Sequence, residues 1–145
     1  MRALLVLIVG MAATAVVFAQ VAAGDISGAY DFEHENESIQ LNLDNGRLDG
    51  YISKLGDETS DRGTPLTYFF SKAKAQGMHV TFSTKQIHGL WYSFDGTVTR
   101  GSGARREEAG YYLLQGTLTT HHIDLQKHET AEKQAVSFRS LKGNT

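Results

Sequence analysis

From Gly28 onward the chain is written largely in a two-residue period, in short runs broken by glycine-containing turns. Tyr30 and Phe32 alternate with other residues, as do Ile39, Leu41 and Leu43, and later Met78, Val80 and Phe82. Two longer runs follow, Leu90-Tyr92-Phe94-Gly96-Val98 and Tyr112-Leu114-Gly116-Leu118, and a last one carries Val136 and Phe138. A period of two sends successive side chains to opposite faces of a pleated strand, so each run reads as a strand with one apolar face. Asp44-Asn45-Gly46 separates the second run from Leu48 and Ile52. Asn-Gly in that setting signals a tight hairpin, because both central residues tolerate positive φ. Consecutive strands with short connections predict a mainly β fold, an antiparallel meander. Closure into a small barrel of seven or eight strands covers its apolar face and removes its edges.

One segment breaks the period. Thr64 suits a helix cap, Pro65 a first turn and Gly77 an exit, and Leu66, Phe69, Phe70 and Ala73 fall on one helical stripe. This spacing predicts one helix near residues 65–76, packed on an open end of the barrel or inside its curl. Tyr68, Phe69 and Phe70 would equally suit a strand.

The first residues set the destination. Arg2, an apolar stretch from Ala3 to Ala19, and the small residues Val21-Ala22-Ala23-Gly24 form a secretory signal, with cleavage expected before Gly24. Val17-Phe18-Ala19 offers another cut site. Uncleaved, residues 3–24 are long enough to cross a bilayer core of about 30 Å and anchor the domain to the membrane. The expected division is thus a signal peptide or anchor over residues 1–23 and a single domain over residues 24–145. The location expected is secreted or periplasmic. The absence of cysteine excludes disulfides and thiolate metal sites. The net charge is −2, with both signs mixed along the chain, so nucleic acid is not an expected partner. Membrane contact is expected only through a retained N-terminal segment.

Within the barrel, Tyr30, Tyr92 and Tyr112 share inward parity with Phe94. Phenols and a phenyl ring there would make an apolar wall with hydrogen-bonding tips, suited either to a small apolar or aromatic ligand or to a filled core. Trp91 has outward parity, which points to a protein partner or the barrel rim. A hairpin symmetric about Arg105 sets Tyr92 opposite Leu118 and His88 opposite His122. Those two imidazoles could hold a divalent metal with Asp124 as a third ligand, or simply be polar residues at a strand end. Asp57, Glu58 and Asp61 match no EF-hand spacing, and Arg105 to Glu108 reads as a solvated hairpin tip. Asn36-Glu37-Ser38 fits a glycosylation acceptor. The chain has no Gly-x-Ser-x-Gly elbow, His-Glu-x-x-His pair or phosphate loop, so a non-catalytic protein without cofactor is expected.

Gly28-Ala29-Tyr30 on the opening strand and Asn45-Gly46-Arg47-Leu48-Asp49-Gly50-Tyr51 across the first hairpin resemble the small secreted calycin barrels, avidin-like and lipocalin-like. The lipocalin Gly-x-Trp opening is replaced here by Tyr30, and a helix after the third strand is not avidin-like. The resemblance implies a barrel that binds a small apolar molecule and assigns no ligand-binding residue. The expected function is an exported binding module. The alternative is a structural or protein-interaction subunit, anchored through residues 3–24.

Overall fold

Alternation becomes eight strands: β1 (Gly28–Asp31), β2 (Ser38–Asp44), β3 (Arg47–Leu55), β4 (Pro65–Gln76), β5 (His79–Thr84), β6 (Leu90–Arg100), β7 (Tyr112–Ile123) and β8 (Glu129–Arg139). The computed structural model describes residues 24–143, and the leader expected over residues 1–23 lies outside them. Each strand pairs antiparallel with the next, giving one eight-stranded meander that curls into a half-barrel. Asn45 and Gly46 take φ of 50° and 79°, the left-handed pair that a two-residue hairpin needs.

Residues 65–76 are strand β4, not a helix, and the described residues contain no helix. Pro65 opens the strand opposite Leu55, and Gly77, with φ of 61°, turns the chain into β5. The helical spacing arises from a bulge. Register shifts between Phe70 and Lys72, so inward parity passes from Leu66, Tyr68 and Phe70 to Ala73 and Ala75. Leu66, Phe70 and Ala73 then imitate one helical stripe while lying on one sheet face. Phe69, expected inside, is 54% exposed and packs edge-on against Tyr51 of β3 at 5.8 Å.

The concave face holds the core. Ile39, Leu41, Ile52, Val80, Leu114 and Leu118 are fully enclosed, and aromatic rings fill the space between them. Phe70, Phe82 and Phe94 form a stack with centroids 4.3 and 5.3 Å apart. Tyr68 and Phe32 meet the Tyr92 ring edge-on at 5.3 and 5.5 Å, and Phe138 lies 5.4 Å beyond Phe32. Gly96 makes room for the stack: a Cβ there would come within 2.5 Å of the Phe94 ring.

The two edges of the sheet meet along a short seam. Tyr30 and Ser140 form a single bridge, and Leu141 donates its N–H to the Ala29 carbonyl at 2.8 Å. Asp31 closes this ladder, accepting the Arg139 N–H and lying 3.4 Å from the Arg139 Nε. Beyond Asp31 the edges part. Strand β8 is therefore exposed along residues 129–135, and its outer edge carries no strand among the described residues.

The strand assignment has a direct test. Phe70→Ala removes a buried ring of the aromatic stack and should cost about 3–5 kcal/mol. Phe69→Ala should cost well under half of that, since its ring is half in solvent. Urea unfolding of both variants checks the pair, and comparable losses would contradict β4.

Candidate functional site

Three places on this frame gather chemistry: the mouth where β3 ends and β6 begins, the seam beyond Asp31, and the far end of the seam. At the mouth, the parity that buries Leu48 and Ile52 carries on to Lys54, which is buried as well. Its Nζ donates to the Tyr92 hydroxyl at 3.2 Å and lies 3.6 Å from the Asp57 carboxylate. Glu37, also buried, accepts the Leu55 N–H through Oε1 at 3.1 Å, while its Oε2 has no partner among the described residues. At the rim, desolvation pushes the Glu33 carboxyl upward, with Lys54 opposing and Glu37 adding to it. The buried phenols respond to the same surroundings. Desolvation, helped by the Tyr92 charge, pushes Tyr68 up to about 12, and desolvation raises Tyr92 further.

The expected ligand set is dispersed. Tyr30 is enclosed and spends its hydroxyl on the Ile26 carbonyl at 2.9 Å. Tyr92 is 1% exposed, with Lys54 on its hydroxyl and rings on its faces and edges. Phe94 lies within the Phe70–Phe82 stack. Tyr112 is half-buried at the opposite end. There it lines a cleft of about 360 Å3 with Ser27, Tyr30, Gln40, Arg106 and Leu141. Arg106, on the hairpin tip read as solvated, clamps the chain before β1. It lies 3.0 Å from the Asp25 carboxylate and donates to the Ser27 carbonyl at 3.1 Å.

His88 and His122 are not directly opposed. The β6–β7 ladder sets Leu90 opposite His122 and Tyr92 opposite Thr120. The hairpin is centred one residue beyond Arg105, which shifts every cross-strand pair by two. His88 falls in the turn between β5 and β6, with φ of 48°, and its Nδ1 lies 3.0 Å from Asp61 Oδ2. Asp124 caps its own turn, accepting the N–H groups of Gln126 and His128. Trp91 points outward and lies flat on His121, with centroids 4.9 Å apart.

At the seam, residues 31–34 diverge from β8 and leave a cleft of about 510 Å3 against residues 134–138. Phe32 and Phe138, both buried, lie at its base, and Asp31, Glu33, His34, Gln134 and Ser137 make most of its lining polar. Sequence parity placed Phe32 and Phe138 inside but could not show that the strands carrying them are neighbours. That neighbourhood is a property of the curl. Comparison with protein-family models, curated proteins and solved structures finds no match to this chain, so function is read from this geometry.

The buried phenols predict an alkaline transition. A tyrosine with a raised folded-state pKa keeps its proton where the unfolded chain, near 10, loses it. Stability contributed this way is complete below pH 10 and falls as pH rises toward 12, by about 1.4 kcal/mol per pH unit for each such residue. Tyr68→Phe should make that fall shallower in melting curves taken between pH 9 and 11. An unchanged pH dependence would contradict the burial of the phenol.

Proposed function

We propose that this chain is a non-catalytic binding module that holds a small aromatic or apolar molecule in the seam cleft between residues 31–34 and 134–138. The observation that carries the reading is the cleft itself, about 510 Å3 with Phe32 and Phe138 at its base. That volume falls in the range of small-molecule sites, and its open, mostly polar lining of Asp31, Glu33, His34, Gln134 and Ser137 over Phe32 and Phe138 suits an aromatic molecule that carries polar groups. Glu33 and His34 would meet a polar group on such a molecule. Tyr92 supports the floor from behind, through its edge contact with Phe32. This moves the proposed site from the barrel interior, where rings pack on one another, to the line where the sheet fails to close. The calycin-like architecture read from the sequence is compatible with it, with the seam taking the place of a hollow lumen.

An environment-sensitive anilinonaphthalene dye should bind the folded protein saturably. Gln134 is exposed on the lip of the cleft, so Gln134→Trp fills the cleft without touching the core. Dye affinity should fall by about tenfold or more, a loss of about 1.4 kcal/mol, with the melting temperature unchanged. Equal affinity in the variant would place the dye elsewhere and remove the reading.

A further inference from the structure

The free edge of β8, which shares only Gln134 and Ala135 with the seam cleft, is open to a partner of its own. Ser140 donates its N–H to the Tyr112 carbonyl at 2.9 Å, and the β7–β8 register runs without a shift from Leu113–Arg139 to Ile123–Glu129. Even-numbered residues of β8 therefore turn their backbone groups toward β7. Odd-numbered ones turn outward, as Arg139 does toward Asp31. The outward N–H and C=O groups of Glu129, Ala131, Lys133 and Ala135 have no strand beside them among the described residues. This stretch has no proline and no bulge, so its backbone is free to pair, and the charges it carries, Glu129, Glu132 and Lys133, restrict which partner and register it accepts.

We infer that this edge pairs with the same edge of a second copy, antiparallel, about a two-fold axis at Ala131. A two-fold axis normal to a sheet keeps each face on its own side. Opposed residues must then share a face, and outward groups pair odd with odd. Charge selects among the registers that remain. Centring on Ala131 sets Glu129 opposite Lys133 of the second copy and Lys133 opposite its Glu129, two reciprocal ion pairs around a small Ala131–Ala131 contact. Centring on Glu132 or Lys133 sets like charges against each other. Centring on Gln134 or Ala135 drives the second copy into residues 138–139, where Asp31 of β1 already holds Arg139. The ladder also aligns Trp91, His121 and Ala131 in one row on the convex face, with Trp91 stacked on His121. Pairing at Ala131 continues this row across the axis into its equivalent. Glu129 lies 3.6 Å from His121 Nδ1, which ties the charged pair to the same row. The result is an isologous dimer with one continuous sheet, held by a short edge and therefore in concentration-dependent exchange with monomer.

Sedimentation equilibrium of the purified chain over about a hundredfold concentration range reads the association. Wild-type protein should show a reversible monomer–dimer equilibrium. Glu129→Lys or Lys133→Glu alone should weaken it by about tenfold, since each replaces two attractive pairs by two repulsive ones. An equimolar mixture of these two variants should recover dimer, because lysines of one copy then face glutamates of the other. The double variant should recover it as well. Ala131→Pro should abolish pairing while leaving the β7 ladder intact, since the Ala131 N–H faces outward. If Ala131→Pro alters the fold by circular dichroism, the mixing experiment decides. A monomer at every concentration, or a mixture no more associated than its components, would overturn the inference. The dye experiment on Gln134→Trp is run at dilution where the chain is monomeric, because Gln134 and Ala135 end the paired edge and also line the cleft. Dye binding by the monomer then tests the cleft, and sedimentation of the Glu129 and Lys133 variants tests the edge.

Discussion

The seam between β1 and β8 governs this molecule. Strand β1 has four residues and β8 has eleven, and a sheet with such unequal edges cannot be zipped along its length. What joins them is concentrated at one end: the Tyr30–Ser140 bridge, the Leu141–Ala29 bond and the Asp31 carboxylate on Arg139. Arg106 reaches across from the β6–β7 hairpin to hold residues 25–27 in place ahead of β1. The mismatch leaves two consequences on the other end, a cleft where β1 turns away and a bare strand edge where β8 runs on.

The interior is stabilised by ring-on-ring packing with few polar exceptions. Edge-to-face and offset stacked arrangements suit the charge distribution of aromatic rings, and each pair adds about 0.5–1.5 kcal/mol beyond its buried area. Lys54 is the main exception. A buried ammonium is tolerable when hydrogen-bonded and paired, and Tyr92 and Asp57 supply those partners. Its position explains why Tyr92 serves as a structural element: the hydroxyl expected to meet a ligand is occupied by the lysine.

Much of this was legible from the alternation of residues. Seven strands follow from the period of two, and the Asn45-Gly46 turn follows from its residue types. The eighth strand, β4, was hidden by one bulge, since a single extra residue after Phe70 converts a strand's apolar spacing into a helix-like one. The expected register of His88 against His122 was off by two for a related reason. A loop of ten or so residues does not declare its centre, and an error of one residue there moves each cross-strand pair by two. Lys54 was readable, because it continues the inward parity of Leu48 and Ile52. Glu37 was not, since its burial comes from a turn that folds back onto β3. The seam was hidden as well. Where the first and last strands meet, and how far, depends on the curl of the whole sheet and not on any local pattern.

Residue-resolved amide hydrogen exchange on dilute protein tests the open seam most directly. An open edge predicts alternation along β8. Glu132 and Gln134 are protected by their bonds to β7, whereas Ala131, Lys133 and Ala135 exchange near the rate of an unstructured amide, and Leu141, bonded to Ala29, is protected. Uniform protection from Ala131 to Leu141 would mean that the edge is covered along its length, and would contradict the account.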